Sequence, residues 1–248
     1  MRGNMIKLFY AVGDSFVFGQ EMGPPITKDT FHQFDIYKRV HCYSGIMADT
    51  LKIPAYKNSG SPAGSNERSY RVLINDITEK LTIYAPEEIF VNVGLTSATR
   101  REFCLNDAGA YYLHMYTWEP PEKDNKVCND LWKVLDKDFN HDYGNQMFDM
   151  MMILSIQNFL RINKIPYLIS SALHIPQKLR SNEPQHIPEY LINQIYEKRF
   201  FVVPSFNRFA DNFKRGPESH PLEEGHAAWA THLLNYINQN NLLDNSDL

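Results

Sequence analysis

The chain has 248 residues, of which 43% are hydrophobic and 22% are charged, and its formal net charge is −4. These values are typical of a single soluble α/β domain with a sizeable core. They give no reason to expect a basic surface, so nucleic acid is not an expected partner. No apolar run reaches the roughly 18 residues of a membrane-spanning helix, and the first apolar stretch lacks a small-residue cleavage site. We therefore predict a cytoplasmic protein without nucleic-acid or membrane partners.

The three cysteines, Cys42, Cys104 and Cys128, are widely spaced and odd in number. This spacing predicts reduced thiols rather than a disulfide framework or a metal-ligand cluster. The nine histidines show no H-x-x-x-H pattern, which argues against a zinc site. Phosphate-loop and dinucleotide fingerprints are also missing from the sequence. We expect neither a metal nor a cofactor.

Strand-like and helix-like patterns alternate along the chain, which favours a parallel sheet flanked by helices. In chain order, the predicted elements are a strand at 7–12, a helix at 37–51, a strand at 55–58, a helix at 69–81, a strand at 88–93, a helix at 145–162, strands at 167–170 and 200–203, and a helix at 222–237. We predict one domain over residues 1–248, a three-layer α/β/α sandwich with a doubly wound, five-stranded parallel sheet.

Residues 103–144 interrupt this alternation and are rich in aromatic side chains, among them Tyr111, Tyr112 and Trp118. A connection this long is usually functional or contains its own elements. Because it follows the third strand, we expect it to lie over the sheet edge at which that strand ends. Two interpretations stay open: a helical excursion that covers the sheet, or a cap that lines a substrate pocket.

Gly13-Asp14-Ser15 follows the first strand directly, and Gly19 comes shortly after it. The carboxyl end of a parallel strand is a preferred ligand site. A serine hydroxyl becomes a good nucleophile only beside a base, usually a histidine that a carboxylate orients. Ser219-His220-Pro221, near the other end of the chain, offers such a histidine. Alternatively, these residues only form a capped turn and a helix start.

These two ends, together with the stretch from Asn58 to Asn66, resemble the SGNH (GDSL-type) hydrolase superfamily. The resemblance implies a flavodoxin-like sheet with Ser15 as the nucleophile and His220 as the base. It also implies that the backbone N–H groups of Ser15 and Gly64 form part of an oxyanion hole. A plain Gly/Ser/Pro turn explains the stretch from Asn58 to Asn66 as well.

The third sequence block departs from that superfamily, which has Gly-x-Asn-Asp after the third strand. Thr96 stands where the asparagine would be, and we predict that its hydroxyl is the third oxyanion donor, with Arg100 as the alternative. The Thr-Ser-x-x-Arg-x-Glu pattern from Thr96 resembles an SGNH-like subgroup of tailed phages, which would imply the host cytoplasm. Asp14, Asn66 and Arg100 are the candidate substrate contacts. For Arg100, an ion pair with Glu102 that holds the loop is favoured over a catalytic role.

The fourth block departs too, since the superfamily pattern is Asp-x-x-His-Pro. Pro217 occupies the aspartate position, and Glu218 is the nearest carboxylate to His220 in the sequence. We predict that Glu218 orients the imidazole through a rearranged turn. The alternative is a Ser–His dyad helped by a backbone carbonyl. His226 is assigned a structural role.

The resemblance implies an esterase that removes an acyl or acetyl group from a small molecule or a saccharide through an acyl-enzyme. Two alternatives remain. The replacements at Thr96 and Pro217 favour a catalytically impaired SGNH-fold protein that binds or assembles. A closed aromatic cap would instead favour an acyltransferase. The oligomeric state is left open.

Overall fold

The computed structural model describes residues 5–23, 31–104, 112–116, 126–134, 137, 142–173, 189–201 and 204–248. Its strands are β1 (Leu8–Val12), β2 (Ala55–Asn58), β3 (Ile89–Leu95), β4 (Arg100–Cys104), β5 (Tyr112–Tyr116), β6 (Tyr167–Ser171) and β7 (Phe200–Phe201). Its helices are α1 (Ser15–Phe18), α2 (Phe31–His41), α3 (Tyr43–Thr50), α4 (Asn66–Lys80), α5 (Lys126–Val134), α6 (Asp142–Ile162), α7 (Glu189–Ile192), α8 (Phe206–Phe209) and α9 (Glu223–Gln239).

Five of the strands form one parallel sheet in the order β2-β1-β3-β6-β7. β1 lies between β2 and β3, so that Leu8 pairs with Ala55 on one side and with Ile89 on the other. When only the strands of this sheet are numbered along the chain, their order is 2-1-3-4-5. This is the doubly wound arrangement, in which the strand order changes direction across the sheet at β1. The predicted α/β class with a five-stranded parallel sheet is confirmed.

The two faces of the sheet bury alternate residues of β1. Phe9 and Ala11 belong to the core cluster that includes Trp229 of α9. Tyr10 and Val12 belong to the opposite cluster, which includes Ile156 of α6 and further residues of α4. Every residue of β1, β3 and β6 is buried, because helices cover both faces of the sheet. The chain therefore forms three layers, with the sheet in the middle.

The predicted helix at 37–51 is in fact two helices, α2 and α3, which Cys42 separates. Cys42 is extended (φ −74°, ψ 142°), and its thiol is free and buried. The two helices pack very closely, since a Cβ on Gly45 would lie 2.2 Å from the carbonyl oxygen of Arg39. The helical spacing of the apolar residues continues through this break, so the sequence pattern did not reveal it.

The region at 103–144 begins earlier than predicted, because β4 and β5 form an antiparallel hairpin that starts at Arg100. Tyr111 and Trp118 lie outside the described residues, as do positions 202 and 203 of the predicted last strand. The cap therefore stays a prediction. Within the described ranges, no helix is both long and apolar enough to cross a membrane.

Candidate active site

Ser15 is the first residue of α1 and follows the carboxyl end of β1, as the sequence predicted. Asp14 caps this helix, and its Oδ1 accepts a hydrogen bond from the Phe16 N–H at 3.0 Å. Gly13 allows the tight turn, because a Cβ there would lie 2.4 Å from Val17 Cγ2 and 2.6 Å from a carbonyl oxygen of β3. Ser15 itself is 2% exposed.

His220 lies against this turn. Its ring centroid is 5.3 Å from that of Phe16, the residue after Ser15. The fold thus brings the two predicted catalytic residues, from opposite ends of the chain, to the same edge of the sheet.

The carboxylate that contacts His220 belongs to Glu21. Its Oε2 is 2.9 Å from Nδ1 of His220 and also accepts the His220 backbone N–H at 3.0 Å. Its Oε1 accepts the Glu218 N–H at 2.7 Å. Burial raises the pKa of Glu21, but the hydrogen bonds from Glu218 and His220 outweigh it, and the net pKa is lowered. Glu21 therefore stays ionised beside the imidazole at neutral pH.

The prediction that Glu218 orients His220 is corrected by this geometry. The Glu218 carboxylate is exposed and accepts a hydrogen bond from Gln20 Nε2 at 2.7 Å. Only its backbone N–H contributes, by binding Glu21. Sequence reasoning missed Glu21 because the superfamily pattern places the acid in the histidine loop. One signal in the sequence could have indicated Glu21: it is a carboxylate two residues after Gly19, the glycine that ends α1.

The backbone around this pair is unusual. Glu21 and Ser219 both have φ of +67°, a conformation that residues other than glycine seldom adopt. The loop is closed by a hydrogen bond from the Gly216 N–H to the His220 carbonyl at 2.9 Å. A Cβ on Gly216 would lie 2.7 Å from Glu21 Oε1, so glycine at this position leaves room for the carboxylate. Such backbone strain is often found at functional sites.

We call the turn Gly13-Asp14-Ser15 the nucleophile turn, after the role predicted for Ser15. Gly64 lies over it, since a Cβ there would be 3.0 Å from the Gly13 carbonyl oxygen. Its N–H donates to the Ser61 carbonyl at 3.1 Å, and the Ser61 N–H donates to Gly13 at 3.1 Å. The glycine therefore lies against Gly13 and Asp14, but the N–H predicted to bind an oxyanion already has an acceptor.

Thr96 does not offer its hydroxyl to a substrate, which corrects a second prediction. The hydroxyl donates its single hydrogen to Asp14 Oδ2 at 2.8 Å and accepts from Arg100 Nη1 at 2.8 Å. The same Arg100 nitrogen donates to Asp14 Oδ2 at 3.1 Å. Burial raises the pKa of Asp14, and Arg100 and the Thr96 hydrogen bond partly offset this rise. Asp14 and Arg100 bind each other within the protein rather than lying open to a substrate.

Arg100 and Glu102, which we predicted to pair with each other, have other ionic partners in the structure. Glu102 accepts two hydrogen bonds from Arg71 of α4, both at 2.8 Å, whereas Arg100 pairs with Asp14. The sequence could not point to Asp14, because that residue is 86 positions away from Arg100 in the chain and only the fold brings the two together.

Asn66 is also a structural residue rather than an open substrate contact. Its Oδ1 accepts the Thr96 N–H at 3.0 Å, and its Nδ2 donates to the Thr96 carbonyl at 3.4 Å and to Asp149 of α6. Asn66 is 4% exposed. The side chain therefore joins α4 and α6 to the end of β3.

His226 of α9 is fully buried and accepts the Tyr43 N–H at Nδ1, at 3.2 Å. Burial lowers its pKa to about 3, so the ring stays neutral. It satisfies an N–H at the start of α3, where helices lack internal partners.

Among the described residues, one group could place three metal-ligand atoms within 4.8 Å of one another, and it consists of Glu21, Glu218 and His220. In this group, Glu21 and His220 already bind each other, and Glu218 binds Gln20.

The class of fold is now defined: the chain has the α/β fold of G-D-S-L-family (SGNH) hydrolase structures. Similar solved structures include an acetyl xylan esterase (Est2A) from the rumen bacterium Butyrivibrio proteoclasticus, with 15% identity, a TM-score of 0.56, and coverage of 97% of this chain and 66% of that one. LAE5, an alpha/beta hydrolase enzyme from the metagenome of Lake Arreo in Spain, has 12% identity, a TM-score of 0.51, and coverage of 98% and 100%. A member of the lipolytic protein G-D-S-L family from Veillonella parvula has 14% identity, a TM-score of 0.50, and coverage of 94% and 98%. At these identities the similarity shows the fold alone.

The particular family follows from the sequence. The model of the Family of unknown function (DUF6071) matches residues 25–248, and the chain belongs to that family. No curated protein matches the sequence.

Proposed function

We propose that this protein is a serine esterase of the SGNH type, with Ser15 as nucleophile, His220 as base and Glu21 as the carboxylate that orients the base. The observation that supports this most is the 2.9 Å contact between Glu21 Oε2 and His220 Nδ1, in a loop whose imidazole lies against the nucleophile turn. An acid, a base and a serine at one sheet edge are the parts that nucleophilic acyl transfer requires.

The Glu21 contact determines which nitrogen of His220 acts as the base. An ionised carboxylate at Nδ1 holds the hydrogen on that nitrogen and leaves the lone pair on Nε2. Nε2 then takes the Ser15 proton as Oγ attacks the ester carbonyl, and it returns that proton to the leaving alcohol. A water molecule, activated by the same nitrogen, hydrolyses the acyl-enzyme.

For the oxyanion hole we retain the backbone N–H groups of Ser15 and Gly64. Gly64 would share its hydrogen between the oxyanion and the Ser61 carbonyl, or release the latter when substrate binds. A hole with two donors predicts slow turnover, since removal of one donor costs on the order of 10²–10³ in rate in other serine enzymes.

We propose an acyl or acetyl ester of a small molecule or a saccharide as the substrate. The support is the fold shared with an acetyl xylan esterase and other esterases. We also retain the hypothesis of a phage-encoded SGNH-like subgroup, for which the pattern from Thr96 to Glu102 is the support.

A second candidate is a protein of this fold that binds or assembles without catalysis. Two groups predicted to bind the oxyanion already donate within the protein: the Gly64 N–H to Ser61 and the Thr96 hydroxyl to Asp14. Their occupation favours this candidate. The near-complete burial of Ser15 favours it too.

A fluorophosphonate probe separates the two candidates, because it reacts only with an activated serine. We expect labelling of the purified protein that maps to Ser15 by peptide mass and disappears in Ser15→Ala and His220→Ala. Ser59→Ala is the matched control, since that hydroxyl donates to Asp76 at 2.8 Å and belongs to a neighbouring loop. A folded protein that remains unlabelled would reject the esterase in favour of the second candidate.

A further inference from the structure

A closed hydrogen-bonded triangle links the nucleophile turn to the hairpin of β4 and β5. It consists of the Asp14 carboxylate, the Thr96 hydroxyl and the guanidinium of Arg100, the first residue of β4. Asp14 is 0% exposed and Arg100 is 9% exposed. All three contacts are therefore shielded from water.

Asp14 has two tasks in this arrangement. One carboxylate oxygen faces Arg100 and Thr96, and the other accepts the N–H of Phe16, the residue after Ser15. A carboxylate at this depth is costly to keep ionised without a cation, because burial disfavours the charged form. The helix cap next to Ser15 thus depends on a charge supplied by another element.

We propose that Arg100 is a positioning residue: through Asp14 it fixes the turn that contains Ser15, and so makes the reactivity of the serine depend on the docked hairpin. This inference rests on the proposed esterase function. It assigns to Arg100 a role that acts through Asp14 rather than through contact with the substrate.

The neighbouring residue Arg101 offers a matched comparison. Its guanidinium donates to Asn145 of α6 at 2.9 Å and pairs with Glu67 of α4 at 3.5 Å. Arg101 therefore holds the same strand onto the helices without touching the nucleophile turn. A role in docking alone would make the two arginines equivalent, whereas positioning through Asp14 makes them different.

The test is a double-mutant cycle on the rate of fluorophosphonate labelling at Ser15, with Arg100→Met, Asp14→Asn and the double variant in the full chain. Asparagine still caps the helix but needs no cation. We expect each single change to lower the rate about 10- to 100-fold, and the double variant to be faster than the product of the two effects predicts. Arg100→Lys should recover part of the rate, while Arg101→Met should stay within about threefold of the wild type. Thermal unfolding establishes the folded fraction to which each rate is normalised.

The outcomes distinguish this inference from the function on which it rests. Two results would overturn the positioning role and leave the esterase proposal intact, provided that the wild type is labelled. In the first, the rate loss of the double variant equals the product of the losses in Arg100→Met and Asp14→Asn. In the second, Arg101→Met loses as much rate as Arg100→Met. If Arg100→Met does not fold, Arg100→Lys and the uncharged double variant still give the comparison. A wild type that does not label would overturn both.

Discussion

Nδ1 of His220 lies 2.9 Å from Oε2 of Glu21, a residue 199 positions earlier in the chain. The superfamily pattern places the acid three residues before the histidine, where this chain has Pro217. Here the carboxylate comes from the loop after α1, so it is close in sequence to the proposed nucleophile, and only the proposed base is distant. The imidazole therefore has a carboxylate partner although Pro217 occupies the aspartate position.

The first prediction concerns which acid orients the base. Glu21→Gln removes the charge that fixes the imidazole, and we expect the rate of Ser15 labelling to fall about 10²- to 10⁴-fold, as loss of the orienting acid does in serine proteases. The measurement is the pseudo-first-order labelling rate at pH 7. Glu218→Gln is the matched control and should stay near the wild-type rate. The opposite ranking of the two variants would restore Glu218 as the orienting acid.

The second prediction tests the space around the same carboxylate. Gly216→Ala places a Cβ 2.7 Å from Glu21 Oε1, so the flexible carboxylate must move away from His220. We expect a folded protein whose labelling rate falls at least tenfold, measured together with its thermal unfolding. Gly144→Ala is the control, because a Cβ there meets no atom within 4 Å in α6. Equal rates in both alanine variants would show that the position of Glu21 does not matter.

The third prediction concerns pH and stability. The pKa of Glu21 is lower in the folded protein than in the unfolded chain, so its ionised form favours folding. That contribution is fully present above the unfolded pKa of about 4.3 and is lost as pH falls through the lower folded value. We expect the difference in free energy of unfolding between wild type and Glu21→Gln to be constant near pH 6–7 and to shrink below about pH 4.3. Urea unfolding at several pH values measures it, and a difference that grows on acidification would contradict the assignment.

The fourth prediction separates the two roles considered for Thr96. Thr96→Val keeps the shape but removes the hydroxyl between Arg100 and Asp14, and we expect the free energy of unfolding to fall by about 1–3 kcal/mol. Labelling of the folded fraction should fall less than tenfold, because the contact between Arg100 and Asp14 remains. Thr96→Ser should restore stability. An unchanged stability with a rate loss of 10²–10³ would instead identify Thr96 as an oxyanion donor.

The sequence was sufficient to predict the five-stranded parallel sheet and the strand-to-helix turn at Ser15. Apolar runs such as the one ending at Val12 require burial on both faces, which a parallel sheet between helices provides. Gly13-Asp14-Ser15 marks a strand-to-helix turn whose close packing depends on glycine. These signals are local, because each depends on residues within one turn or strand. They predict the position of Ser15 after the first strand, whereas the role of Gly64 was implied only by the resemblance to the SGNH superfamily.

The partners of charged and polar side chains were decided only by the tertiary structure. The choices of Glu21 over Glu218 for His220, and of Asp14 over Glu102 for Arg100, depend on distances between segments far apart in the chain. In both cases the sequence favoured a neighbour in the chain, and the structure gives a partner from a distant segment. Whether a hydrogen bond forms depends on differences of a few tenths of an ångström in the donor–acceptor distance. The packing of the loops against the core determines that distance. Hydrophobic periodicity thus determined the sheet and its helices, whereas the hydrogen bonds and ion pairs of the candidate site depended on how the folded loops pack together.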